Sequence, residues 1–287
     1  MKRILVLALV LVLAAAGGAI SLYQMASSLA APSQRMVGAP PEDLPVEAIV
    51  VSRDGAAPLH GWYIEGHPSL GGVLLMHGIR ADRRQMMDRA RFLNAAGYSV
   101  LSIDFQAHGE TQGDSVTFGY LESFDARDAM AYLRSRVGDR PVGVIGFSLG
   151  GAAALLGPQP LQADAVVLEA VFSTLERAVQ NRMVRSFGGF GNIVSALLLI
   201  QVPPRVGIPL DDLAPILAIP RLHVPVMIVA GTDDVHTLAS ESRALYAEAN
   251  EPKVLWMIEG ARHQDFYAYT PIEYRARILS FFEGYLR

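Results

Sequence analysis

No cysteine occurs among the 287 residues. Disulfides, thiol nucleophiles and cysteine-based metal sites are thereby excluded, and redox chemistry leaves no mark of the compartment on the sequence. Charge is scarce too. Asp, Glu, Lys and Arg make up 18% of the chain against 51% apolar residues, so a sizeable core can be buried, which argues against bulk disorder. The formal net charge of -4 comes with no long run of one sign, which argues against a nucleic-acid partner. The seven histidines show no HExxH or comparable spacing, so no metal site is expected and no cofactor is called for. Most conspicuous is a gap: no charged residue lies between Arg3 and Arg35.

That gap defines the amino terminus. Lys2 and Arg3 precede the apolar run ILVLALVLVLAAAGGAI (residues 4–20). A short basic region before a long apolar one is the pattern of a secretory signal, with small residues suited to cleavage near Ala16 or near Ser28-Leu29-Ala30. The uncharged stretch also reaches the roughly 20 residues that a bilayer requires. A retained anchor would keep Lys2 and Arg3 on the cytoplasmic side and export the chain beyond Arg35. Residues 1–30 therefore read as a signal peptide or, by a slight preference, a membrane anchor. The chain is then membrane-anchored with its catalytic domain exported, or secreted to the periplasm or beyond. Residues 31–45, rich in proline and polar side chains, read as a linker.

From residue 46 the pattern changes. VEAIVVS (46–52) and PLHGWYIE (58–65) flank Asp54-Gly55, a hairpin turn signal. Short, nearly all-apolar strands occupy 71–78, 98–104, 141–147, 164–172, 224–231 and 253–260. Helical spacing appears at 83–96, 121–137, 149–156, 239–250 and 271–286. Strands apolar on both faces, alternating with helices, predict an α/β fold with a mostly parallel sheet covered on both sides. Ligands bind such sheets beyond the carboxyl ends of the strands. One apolar, glycine- and proline-rich insert, about 173–223, interrupts the alternation and reads as a cap over that edge, or otherwise as a buried helix with irregular flanks.

VIGFSLGGAAALL (144–156) carries the chemistry. Gly146-Phe147-Ser148-Leu149-Gly150 fits G-x-S-x-G between a strand and a helix, the context in which the serine stands at the apex of a sharp turn. The flanking glycines remove side chains that would crowd the turn. A serine hydroxyl needs a base, and His263 lies just after the last strand in EGARHQDFY. The imidazole needs a carboxylate, and VMIVAGTDD ends a strand with two. Asp234 is the chosen partner, Asp233 the nearer to a structural cap, and His236 a competitor that no strand end sets opposite Ser148. The N–H groups of Leu149, after the nucleophile, and of Ile79, in the HGIR loop, are the expected oxyanion donors. His77 enters that loop as a structural residue.

LLMHGIR, ARFLNAAGYSVLSIDFQAHGETQGD, VIGFSLGGAAALL, VPVMIVAGTDD and EGARHQDFY together resemble α/β-hydrolase-fold serine hydrolases, nearest to the alpha/beta-hydrolase-domain esterases and peptidase-S33-like hydrolases. The resemblance runs from about Val46 to the carboxyl terminus and implies one hydrolase domain over 46–287. It implies Ser148 as nucleophile, Asp234 as acid and His263 as base. It gives His108, in a mainly structural loop, no chemistry, and makes Glu169 and Arg127 buried or bridging polar residues. Ile79-Arg80 follows His-Gly where many relatives carry small or aromatic residues, a departure that bears on the shape of the acyl pocket.

The expected activity is cleavage of a small-molecule carboxylic ester or acyl substrate through an acyl-enzyme on Ser148. The same triad would serve a peptidase, amidase or acyltransferase. A hydrolase fold retained as a non-catalytic binding module is the reading from another class, and it would require a missing triad member. A dehalogenase would require an aspartate in place of Ser148.

Overall fold

The computed structural model describes residues 2–53 and 55–286; Asp54, half of the expected turn, lies outside them. Helix α1 (Lys2–Leu29) opens the chain. Strands β1 (Val46–Val51) and β2 (Leu59–Ile64) form the expected hairpin. Next come β3 (Gly72–Met76), α2 (Met87–Ala95), β4 (Ser99–Ile103), α3 (Glu122–Val137), β5 (Val142–Phe147), α4 (Leu149–Leu155) and β6 (Ala165–Glu169). Helices α5 (Leu175–Phe187) and α6 (Gly191–Leu199) then precede β7 (Val226–Gly231), α7 (Ala239–Glu248), β8 (Lys253–Ile258) and α8 (Pro271–Tyr285).

The eight strands form one sheet in the order β1-β2-β4-β3-β5-β6-β7-β8. β2 runs antiparallel to both of its neighbours, and all other pairs are parallel. Along β3 the alternation of a strand divides the core: Leu74 and Met76 join the cluster that holds α3, α4 and the insert, while Val73 and Leu75 join the one that holds α2 and α8. Both faces of the central strands are covered, which is why β3 to β7 are buried throughout and read as unbroken apolar runs.

Several boundaries differ from those the sequence suggests. The helix expected over 83–96 begins as a 3₁₀ turn, Arg83–Met86, because the Asp82 side chain caps it by accepting from the Arg84 N–H. The strand expected over 164–172 stops at Glu169, since Ala170 turns away with φ +49°. Within the expected linker, Ser33–Gln34 pairs parallel with His108–Gly109, and Val37 is buried with its N–H donating to Glu110 Oε1 at 3.1 Å.

The insert opens as two packed helices, followed by short helical turns that include Pro203–Val206 and Pro215–Ala218. Thr174 caps α5, its hydroxyl accepting from the Arg177 N–H at 3.1 Å, and Gly188 ends it at φ +57°. Gly191 sits against the α5 backbone, where a Cβ would meet the Met183 carbonyl carbon at 2.3 Å. Leu175, Val179 and Met183, spaced by four, bury one stripe of α5 in the core.

Two ends of α1 behave differently. Ile4–Leu7 and Leu9–Leu13 are exposed apolar side chains. The last two turns instead join the domain core: Ala26 and Ala30 are buried, and Leu22, Met25 and Leu29 pack on the same cluster. The Ala30 carbonyl accepts from the Val116 N–H at 2.9 Å, and the Arg205 guanidinium lies 4.7 Å from the centre of the Tyr23 ring.

Candidate active site

Ser148 occupies the turn between β5 and α4 at φ +49°, ψ -105°, a conformation a non-glycine residue rarely adopts. The turn is held by close backbone approaches that only glycine allows. A Cβ at Gly146 would come within 2.5 Å of the Gly150 carbonyl carbon, and one at Gly150 within 2.3 Å of the Met76 carbonyl oxygen on β3. The second glycine thus serves the contact with the neighbouring strand rather than relief around the serine itself. The Ser148 N–H donates to the Glu169 carbonyl at 2.7 Å, tying the turn to the end of β6. Among the described residues the Ser148 hydroxyl makes no hydrogen bond.

Asp234 and His263 are brought together by the loops after β7 and β8. Gly231 lies where a Cβ would strike the Ala261 carbonyl oxygen at 2.1 Å, the Asp233 N–H donates to that oxygen at 2.9 Å, and the Gly260 N–H donates to Thr232 Oγ1 at 2.8 Å. Stitched in this way, the loops let His263 Nδ1 donate to Asp234 Oδ2 at 2.8 Å. The proton therefore sits on Nδ1, and Nε2 is left without a partner among the described residues. Asp234 also accepts from the Thr237 hydroxyl at 2.6 Å and from the N–H groups of His236 and Thr237 at 2.7 and 3.0 Å. Burial pushes its pKa up, but the His263 and Thr237 hydrogen bonds outweigh this and hold the carboxyl below the usual range. The capping role expected of Asp233 belongs to Asp234; Asp233 itself is exposed.

Ser148, His263, Ile79 and Leu149 line one narrow cleft beneath α5. Neither the Leu149 nor the Ile79 N–H has an acceptor among the described residues, so both donors expected to face an oxyanion are free. The wall is largely apolar, with Leu29 of α1, Phe118, Phe172 and the α5 stripe of Leu175, Val179 and Met183. His77 is fully buried: Nδ1 donates to the Gly78 carbonyl at 2.7 Å and Nε2 accepts from the Phe105 N–H at 3.1 Å. Burial first, then the neighbouring His108, pushes its pKa down to about 3, so it holds the loop and carries no proton near neutrality.

Two contributors escaped the sequence reading and a third was set aside. Thr237 fixes the Asp234 carboxylate. His236, set aside as having no route to Ser148, lines the cleft with its ring 5.5 Å from that of His263. Arg182 lines it as well, and here a signal existed: it interrupts the apolar stripe of α5 at the i+3 position from Val179.

Comparison with known proteins agrees with this architecture. Residues 73–277 match the profile of the alpha/beta hydrolase family. An uncharacterized protein of Mycobacterium tuberculosis is 30% identical over 224 residues, covering 76% of this chain and 72% of its own. The lysophosphatidylserine lipase of Macaca fascicularis is 26% identical over 141 residues, 45% of this chain and 35% of the lipase. Among solved structures, an esterase of Pyrococcus furiosus superposes with a TM-score of 0.73 at 21% identity, over 90% of this chain and 98% of that one, a likeness of fold. The chain belongs to the alpha/beta hydrolase family.

Proposed function

We propose that this hydrolase-family chain is a serine esterase, with Ser148 as nucleophile, His263 as general base and Asp234 as the group that orients and charges the imidazole. His263 Nε2 takes the proton as Ser148 Oγ attacks the ester carbonyl, and the N–H groups of Leu149 and Ile79 hold the oxyanion. The tetrahedral intermediate collapses as His263 returns the proton to the departing alcohol. Water, deprotonated by the same nitrogen, then cleaves the acyl-enzyme. The observation that carries this reading is the Asp234–His263 hydrogen bond, which leaves Nε2 free beside a cleft that the strained Ser148 also lines. The apolar wall supports an acyl chain as the group held, and the lipase and esterase names among the similar proteins agree with ester chemistry.

A fluorophosphonate probe should label wild-type protein and not Ser148→Ala, and p-nitrophenyl hexanoate turnover should fall by about 10³-fold or more in that variant. Retained turnover in Ser148→Ala would sink the mechanism. Faster cleavage of the matching anilide than of the ester would move the activity to amides.

Within the same proposal, α1 is a retained anchor with the domain from about Val46 exported and the α5–α6 insert (about 173–223) as its cap. Among the described residues two helical stretches, Lys2–Leu29 and Leu175–Val206, are long and apolar enough to cross a membrane. The second comprises the insert, whose Leu175, Val179, Met183 and Leu198 are core residues. The first has its exposed apolar half beyond the domain, where a bilayer would cover it. Cleavage near Ala30 would strip Ala26 from the core and Leu29 from the cleft, whereas cleavage near Ala16 would spare both. Amino-terminal sequencing of the mature protein tests the anchor: a start beyond residue 16 overturns it.

A further inference from the structure

We infer that the cleft is built for an anionic amphiphile: an acyl ester whose alcohol part bears a phosphate or similar anion, seated on Arg182 with Arg80 beside it. The inference rests on the esterase reading for the reaction but on separate residues for the recognition. The cleft has two kinds of wall. Its apolar side chains flank Ser148, while Arg80 and Arg182 are its only charged lining residues among those described, and no Asp or Glu lines it.

Arg182 is the stronger half of the argument. It is half-buried on the face of α5 that otherwise carries Leu175, Val179 and Met183, and it makes no hydrogen bond or ion pair among the described residues. Elsewhere the fold does not leave buried guanidinium groups so. Arg53 is paired with Asp125, Arg83 with Asp104 and Glu110, and Arg89 with Glu169 and Asp265. A half-desolvated cation without a counter-charge is unfavourable, and a fold that keeps one beside a reactive serine is supplied with the counter-charge from outside.

Arg80 adds a second positive charge under strain. It holds φ +60°, a region unfavourable for a long side chain, and its carbonyl accepts from Arg35. Its guanidinium donates to the Ser28 carbonyl at the end of α1, a neutral acceptor that leaves the net charge uncompensated. Burial lowers the proton affinity of Arg182, and the repulsion of Arg80 lowers it further, while the opposing Asp234 is already engaged by His263 and Thr237. An anion between the two guanidinium groups would relieve that repulsion, and a phosphate presents two oxygens to the planar fork of Arg182. Arg80 is exposed, which puts the cationic end of the cleft at its mouth.

The test compares hexanoylglycerol with hexanoylglycerol 3-phosphate, using the full chain in a neutral detergent. Wild-type protein should favour the phosphorylated ester in kcat/KM by about tenfold or more, the scale of one charge-assisted contact. Arg182→Gln should bring that ratio to about one, and Arg182→Lys should restore part of it. A wild-type ratio of one alongside good turnover of the neutral ester overturns the inference and leaves the esterase intact, as does an unchanged ratio in Arg182→Gln. Should neither ester be cleaved, the esterase reading fails and the site is read by calorimetry of hexyl phosphate binding to Ser148→Ala. Binding about tenfold weaker in Ser148→Ala/Arg182→Gln sustains the inference, and equal binding overturns it. Inorganic phosphate binding as tightly as hexyl phosphate would make the occupant a free anion and overturn the amphiphile.

Discussion

The polar groups beneath the serine turn and those facing the cleft are treated in opposite ways. Beneath it, Arg89 of α2 donates from Nη2 to Glu169 Oε2 at 2.8 Å, from Nε to the Tyr274 hydroxyl at 2.9 Å, and pairs through Nη1 with Asp265 Oδ1 at 3.0 Å; Tyr274 in turn donates to Glu169. Glu169 ends the strand whose carbonyl holds the Ser148 N–H, and Asp265 lies two residues beyond His263, so one buried guanidinium ties the Ser148 turn to the His263 loop. In the cleft, Ser148 Oγ, His263 Nε2, His236 Nδ1 and the Arg182 guanidinium have no partner among the described residues. Buried polar groups are ordinarily satisfied. A saturated framework thus holds a set of groups whose own bonding capacity is unspent, the arrangement that the proposed catalysis requires.

Asp234 stands on the seam between the two sets, and replacing it has the largest expected effect. Its four accepted hydrogen bonds make it part of the framework, while the His263 bond alone serves the cleft. In Asp234→Asn the amide NH₂ cannot accept from Nδ1, so the imidazole proton moves to Nε2 and the base toward Ser148 is lost. Ester turnover should fall on the order of 10³- to 10⁴-fold while the melting temperature changes little. Turnover within tenfold of wild type would mean that the seam is not where the two sets meet.

Next in size is a break in the framework itself. Arg89→Met leaves Glu169 and Asp265 without their cation, with Glu169 fully buried, and should cost about 3–5 kcal/mol of stability by urea unfolding. Adding Glu169→Gln should return part of that loss. Arg182→Met, by contrast, removes an unpaired cation and should leave stability unchanged or slightly raised. Equal losses in the two arginine variants would erase the distinction between the sets.

How far each set was legible in the sequence depends on how local its determinants are. Ser148 was legible because its turn is encoded within five residues, and Asp234 and His263 because strand ends deliver them. The α/β order was legible because β3 to β7 are apolar on both faces. Arg182 was not, since its approach to Ser148 depends on how the insert folds back over the sheet edge; His236 was named but set aside, since the course of the loop after β7 is not fixed by a local pattern. The docking of α1 was hidden for a similar reason: Ala26 and Leu29 differ in no chemical respect from the alanines and leucines before them, and only the domain surface selects which are buried. Arg89, Asp265 and Tyr274 meet across 185 residues of sequence, beyond any local pattern.

The smallest predicted effect separates the two sets by pH. His77 belongs to the framework, both ring nitrogens being engaged, and protonating it would break the bond from the Phe105 N–H. In the unfolded chain it gains a proton near 6.5, in the folded protein only near about 3. Its contribution to stability is therefore complete above pH 6.5 and is lost as the pH falls toward 3, at up to about 1.4 kcal/mol per pH unit. His108, its ring 5.1 Å from that of His77 and its pKa lowered chiefly by burial, adds a slope of the same sign to the wild-type curve. The contribution of His77 is thus read as a difference: His77→Gln should be less stable than wild type at pH 7.5, and the gap should narrow by about 1 kcal/mol between pH 6.5 and 5.5 in urea unfolding. Parallel curves would show that this histidine takes up a proton without cost and that it belongs with the open groups of the cleft.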